Sequence, residues 1–154
     1  MSGWPDLAGR IEGESHVLPV RVYFEDTDCG GVVYHANFLK FCERGRSDFI
    51  RLLGIDHQSL ANPEQGEPAV FVVRRIEIDY LKSGRMDDVL EVVTSCAEIG
   101  NASLVLTQEV RREGTTLARA KVSVVLVSRS GKPQRIGAVV RDALQRFVNH
   151  ARET

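Results

Sequence analysis

Apolar residues recur at two different periods along this chain, and the change of period divides it. Residues 36–53 carry Phe38, Phe41, Cys42, Phe49, Leu52 and Leu53 at helical spacing, with Gly54 as a stop signal, and predict one long amphipathic helix. Gly45 lies on the same stripe, where a mid-helix glycine costs ~1 kcal/mol relative to alanine. Its use would be a close approach of the helix to a sheet. A second stripe, Leu39, Glu43, Arg46 and Ile50, lies roughly 100° further round, so the helix faces two neighbours rather than one.

From residue 69 the period is two. Strict alternation places Val70, Val72, Ile76, Ile78 and Tyr80 on one face and Arg75, Glu77 and Asp79 on the other. Residues 89–99, 103–112 and 117–127 read as further strands, separated by turns at Gly100-Asn101 and Glu113-Gly114. With residues 17–24 these make a five-stranded antiparallel sheet. Ser130-Gly131-Lys132-Pro133 ends it, and Val140, Ala143, Leu144 and Phe147 predict a short C-terminal helix. One long helix against one antiparallel sheet is an α+β arrangement. A single helix covers only part of such a sheet, so a homodimer at least is expected. Residues 1–16 read as a flexible polar arm ahead of a single domain over residues 17–150.

Composition removes several classes of function. A chain of 154 residues that is 43% apolar and 27% charged is an ordinary globular domain. Its net charge of −1 offers no field for nucleic acid or an anionic membrane surface. The cysteines (Cys29, Cys42, Cys96) are odd in number and lack C-x-x-C spacing, which argues against a disulfide framework or structural zinc and for a reducing cytoplasm. No apolar run approaches the ~20 residues of a membrane span, and the N-terminus has neither the basic start nor the apolar centre of a signal peptide.

The candidate chemistry is concentrated between residues 24 and 38, where Glu25, Asp26 and Asp28 precede Gly30-Gly31 and the start of the long helix. Glycines permit close backbone approach to a ligand. The first amides of a helix lack intrahelical partners and sit at the positive end of its dipole, which suits an oxyanion. Asp28 is the candidate for chemistry and Asp26 for a structural hydrogen bond. If the chain stays extended through residue 26, the two share a face and Glu25 does not. An Asp-x-Asp pair can hold Mg²⁺, but further oxygen ligands are missing nearby, so no metal is expected. His35 is of interest for its backbone N–H more than for its ring. Glu43 on the second stripe reads as an ion pair with Arg46, a contact across a dimer, or a second carboxylate in the site. His16 and His57 fall in presumed loops and receive no role. Arg129, Lys132 and Arg135 form a basic cluster that would suit phosphates. The elbow, phosphate-loop, dinucleotide and zinc-protease motifs are all absent.

The segment 20–38, with its Asp-Thr-Asp-x-x-Gly-x-Val-Tyr-His core, and the following Phe41-Cys42-Glu43-Arg44-Gly45-Arg46 closely resemble the hotdog-fold acyl-CoA thioesterases of the 4-hydroxybenzoyl-CoA thioesterase-like family. The nearest group is the bacterial YbgC type associated with the Tol–Pal envelope system, and the likeness runs over roughly residues 18–148. It implies a sheet wrapped around one central helix, hydrolysis of an acyl-CoA to acid and coenzyme A, and a homodimer or homotetramer. It implies no cofactor, since coenzyme A is part of the substrate. Asp28 matches the catalytic aspartate, as nucleophile or general base, and His35 the helix-start position whose amide polarises the thioester carbonyl. Gly31, Val32, Tyr34, Asn37 and Glu43 match positions around the substrate, and Lys132 and Arg135 match coenzyme A contacts more weakly. Cys29 stands where alanine or proline is frequent, and Phe38 where tyrosine is. Two other readings stay open: a hydratase or dehydratase on acyl thioesters, using His35 and Glu43 as an acid/base pair, and a non-catalytic acyl-CoA-binding, envelope-associated protein.

Overall fold

The long apolar stripe forms helix α1, His35–Leu52, which buries Phe38, Phe41, Cys42, Gly45 and Phe49. The computed structural model describes residues 7–55, 60 and 68–148; His57 lies outside them. Ahead of α1 come β1 (Arg10–Glu12) and β2 (Ser15–Arg21); after it come β3 (Ala69–Tyr80), β4 (Val89–Ile99), β5 (Ser103–Arg112), β6 (Thr115–Ser128) and helix α2 (Ala138–Gln145). The strands form one six-stranded sheet in the order β1-β2-β4-β5-β6-β3, antiparallel throughout. The expected five strands become six because β1, within the presumed polar arm, pairs with β2. The β5–β6 turn follows its residue chemistry, with Glu113 at φ 48° and Gly114 at φ 81°. Phe147, just past α2, packs edge-on against Phe49 of α1 with centroids 4.9 Å apart.

Gly45 lets α1 approach the sheet closely: a Cβ there would lie 2.6 Å from Val92 Cγ1. Beneath it runs a row of polar side chains. His16, Thr94 and Gln108 are register partners on β2, β4 and β5, and all are buried. Gln108 donates from Nε2 to the Cys42 carbonyl and to Thr94 Oγ1, both at 2.9 Å, and accepts from Arg46 at 3.0 Å. His16 Nε2 lies 2.7 Å from Asp48 Oδ2, whose other oxygen accepts from Arg51 at 2.5 Å. Apolar packing and directional bonds therefore hold α1 together.

On β3 the assignment of faces is corrected by a bulge. Val73 pairs with Val124 and Arg75 with Ser123, so the register skips Arg74. One unpaired residue reverses the alternation. Phe71 and Val73 now share the core face with Ile76, Ile78 and Tyr80, opposite the buried Leu126, Val124, Val122, Ala120 and Ala118. Val70 and Val72 point outward and are exposed.

Candidate active site

The chain leaves β2 and does not stay extended: a 3₁₀ turn at Phe24–Asp26 folds it toward α1. Asp26 is buried and latches that turn. Its Oδ2 accepts from the Tyr23 amide at 2.8 Å, its Oδ1 from Asn37 Nδ2 at 2.9 Å, and its carbonyl from the Tyr34 amide at 2.9 Å. The structural assignment of Asp26 holds, although the alternation argument behind it does not. Asn37, expected around the substrate, turns inward and is committed to Asp26. It is a support for the loop rather than a group at the mouth of the site.

Asp28 is exposed. Its amide donates to the Val32 carbonyl at 2.8 Å and its carbonyl accepts from Gly31 at 3.0 Å, closing a turn in which Gly31 sits at φ 81°. Oδ1 accepts from the amides of Gly30 at 2.8 Å and Val32 at 3.4 Å. Oδ2 has no partner among the described residues. The carboxylate is thus held by one oxygen, and Asp28 lines two hollows. One, of about 310 Å³, is shared with Val33, His35, Phe38, Tyr80 and Lys82. The other, of about 620 Å³, is shared with Phe24, Cys29 and Met86.

The start of α1 borders the first hollow. The Val33 amide donates to Gly84 at 2.8 Å, Tyr34 to Asp26 at 2.9 Å, and Asn37 to Tyr34 at 2.8 Å. Among the described residues, the His35 and Ala36 amides are left without an acceptor, and the first turn carries no acidic side chain to occupy them. The His35 ring packs beside Tyr34 (4.6 Å between centroids) and edge-on to Tyr80 (5.9 Å). Asp28 and His35 line one hollow at the uncapped start of α1. A carboxylate so placed can attack, or activate water at, a carbonyl carbon if the free amides hold the developing negative charge.

Three expected residues stand away from this point. Glu43 is exposed roughly 12 Å along the helix axis from His35. It forms no ion pair with Arg46 and lines a separate hollow of about 500 Å³. Lys132 and Arg135 are exposed beyond the far end of β6. At the near end, Leu117 accepts from the amides of Leu81 and Lys82, and the strand then runs roughly 36 Å to Ser128. Within one chain the basic cluster and Asp28 do not meet.

The sequence reading missed three groups. Tyr80, at the end of β3, and Lys82, in the β3–β4 connection, border the Asp28 hollow. Arg112 pins that connection, donating to Ser83 O at 3.2 Å and Asp88 Oδ2 at 2.9 Å. Burial works against the Asp88 charge, but the Arg85 amide and the Arg112 guanidinium outweigh it and hold its carboxyl below the usual range. His16 belongs to β2, not a loop, and its buried Nδ1 has no partner among the described residues. Extending the period-two pattern back from Val20 and Val22 reaches His16, and that signal would have placed it in the core. The thiols of Cys42 and Cys96 are buried and pushed up to about 11, while Cys29 is exposed. Among the described residues no group of His, Cys, Asp and Glu converges as a metal site.

The model of the thioesterase superfamily matches residues 30–119. The chain belongs to the thioesterase superfamily. This thioesterase is 42% identical over 110 residues to the acyl-CoA thioesterase YbgC of Haemophilus influenzae, covering 71% of this chain and 79% of that one. It is 44% identical over 110 residues to the acyl-CoA thioester hydrolase YbgC of Escherichia coli, with the same coverage of 71% and 79%. Among solved structures, a probable thioesterase from Bartonella henselae superposes with a TM-score of 0.74 at 38% identity, covering 80% of this chain and 99% of that one. The six-stranded sheet and two helices are thus those of a hotdog thioesterase.

Proposed function

We propose that this thioesterase hydrolyses acyl-CoA thioesters, with Asp28 as the reacting carboxylate and the His35 and Ala36 amides as the oxyanion hole. The observation that supports the reading is that Asp28, with one oxygen uncommitted, and His35, at the uncapped start of α1, line one hollow. In the nucleophilic form, Oδ2 adds to the thioester carbonyl and expels the coenzyme A thiolate, and water then cleaves the mixed anhydride. In the general-base form, Oδ2 takes a proton from the attacking water. Both end in free acid and thiol. The YbgC relatives, described as acting on acyl-CoA, support this substrate class. A His35–Glu43 acid/base pair, which a hydratase or dehydratase would need, is disfavoured because the two lie two helical turns apart and border different hollows.

Asp28→Asn is expected to lower acyl-CoA turnover by about 100-fold or more while leaving the thermal unfolding midpoint near that of the wild type. A variant with wild-type rate overturns the assignment. Label in the Asp28 carboxylate after single-turnover hydrolysis in ¹⁸O-labelled water, or release of thiol ahead of free acid in a rapid-quench experiment, would establish the nucleophilic form.

The same proposal includes a two-fold dimer. Strand β3 is the edge of the sheet and has 12 residues, with Val73 and Tyr80 exposed on its core-facing side. Antiparallel pairing of β3 with its copy would bring one chain's Ala69/Ser128 end to the other's Tyr80/Leu117 end. Lys132 and Arg135 of one chain would then approach the Asp28 hollow of the other, where coenzyme A phosphates need cations. No helix among the described residues is long and apolar enough to cross a membrane. A link to the Tol–Pal envelope system is proposed from the YbgC likeness alone. Co-purification of a Tol protein with the tagged chain would support it.

A further inference from the structure

The second stripe of α1 and the core face of β3 border one seam. At one end His35 and Phe38 meet Tyr80 around the Asp28 hollow. At the other, Arg46 and Ile50 meet Phe71 and Val73 around the hollow of about 500 Å³. Leu39 on the same helix stripe, and Ile76 and Ile78 on the same strand face, all half-buried, fall by periodicity between the two hollows. The seam is apolar until Glu43 and Arg46, roughly 12 and 16 Å along the axis from His35. Helical side chains lean toward the N-terminus, so Arg46 reaches back toward the reacting end.

The state of Arg46 is unusual for a lining residue. One arm of its half-buried guanidinium donates to Gln108 Oε1 at 3.0 Å, and Gln108 is itself fixed by two bonds. That bond holds the guanidinium beside the sheet. Its other donors have no acceptor among the described residues, and no carboxylate lies within ion-pair distance, Glu43 included. An alkyl chain laid along the seam would strip water from those donors and return nothing, whereas an oxygen at that depth would satisfy them. Glu43, one turn nearer the site, opposes a second negative charge there and suits a neutral group.

We infer that Arg46 is a specificity-determining residue that selects acyl groups carrying a neutral oxygen at their far end over plain alkyl chains of the same length. The inference rests on the thioesterase reading above and deepens it. An extended decanoyl chain covers the roughly 12 Å from the oxyanion amides to Glu43, toward which the Arg46 side chain leans back, so it is the length to test. The assay compares kcat/KM for decanoyl-CoA, ω-hydroxydecanoyl-CoA and the mono-CoA thioester of sebacic acid, in the wild type and in Arg46→Met. The wild type is expected to prefer the hydroxylated chain over decanoyl by about 10-fold or more. Arg46→Met is expected to erase or reverse that ratio, and a ratio taken within one variant cancels any general loss of activity or stability. Equal wild-type rates on the hydroxylated and plain chains, a wild-type preference for the carboxylate, or an unchanged ratio in Arg46→Met each overturn the inference while leaving the hydrolase reading intact. Should Arg46→Met fail to fold, the wild-type comparison decides alone. A wild type that hydrolyses none of the three and no shorter acyl-CoA overturns both.

Discussion

Asp28 and His35 divide the proposed chemistry between a side chain and a backbone group, and the two respond differently to substitution. His35→Ala keeps the amide and removes only a ring packed beside Tyr34 and Tyr80. Its kcat on acyl-CoA is expected to fall less than about 10-fold, far less than for Asp28→Asn. A larger loss would return the His35 side chain to the chemistry. His16 makes a prediction about pH. Burial lowers its pKa, with the Asp48 carboxylate pulling the other way. Asp48 is buried too, yet its bonds to His16 and Arg51 outweigh desolvation and lower its carboxyl. For both groups the unfolded chain binds protons more readily than the folded one. Stability is then full above the unfolded value, ~6.5 for His16, and is lost as pH falls below it, with the Asp48 contribution following below ~3.9. The urea midpoint should drop between about pH 7.5 and about pH 5.5 in the wild type and drop less in His16→Gln. Equal slopes would remove His16 as the cause.

At the scale of elements, helix α1 is governed by Gly45. A methyl group there meets the stiff Val92 side chain at 2.6 Å, Gln108 Nε2 at 3.2 Å and Thr94 Oγ1 at 3.3 Å. The gain in helix propensity for Gly45→Ala, up to ~1 kcal/mol, is set against overpacking of typically 1–3 kcal/mol. Net destabilisation is the expected result in chemical denaturation, and a stabilised variant would mean that α1 can shift away from the sheet. The glycine could be found in the sequence because it interrupts an apolar stripe. The six strands show both what pattern reveals and what it hides. Strands β4, β5 and β6 were legible because alternating apolar residues were bounded by Gly-Asn and Glu-Gly turns. Strand β1 has three residues and an exposed-intermediate-exposed pattern, too short for any period to register. The β3 bulge was hidden because Val70, Phe71, Val72 and Val73 are all apolar, and an uninterrupted apolar run carries no phase.

For the whole molecule, the open edge of β3 and the distance from Asp28 to Lys132 and Arg135 lead to one expectation. The thioesterase in solution should have at least twice the 17.1 kDa mass of one chain. Lys132→Glu with Arg135→Glu should raise KM for acyl-CoA by about 10-fold or more and spare the same acyl group on N-acetylcysteamine, which lacks the phosphates. Equal effects on the two substrates would separate the basic cluster from coenzyme A. The basic cluster was legible in the sequence, but that it would have to act from a second chain was not. Asp28, Gly31 and His35 lie within eight positions of each other, so local motif chemistry reveals them. A contribution made across a symmetry axis leaves no spacing to recognise.

The polar row beneath α1 has a mechanical consequence. A cylinder seated only on greasy contacts can roll about its long axis at little cost. This one is keyed: the bonds from the Cys42 carbonyl, Arg46 and Asp48 to Gln108 and His16 act like splines on a shaft. The rotational setting of the helix is therefore fixed on the sheet side, about seven to thirteen residues downstream of the amides proposed as the oxyanion hole. On that proposal, reshaping Gln108 would turn those amides without touching the substrate, and their aim could be adjusted from behind.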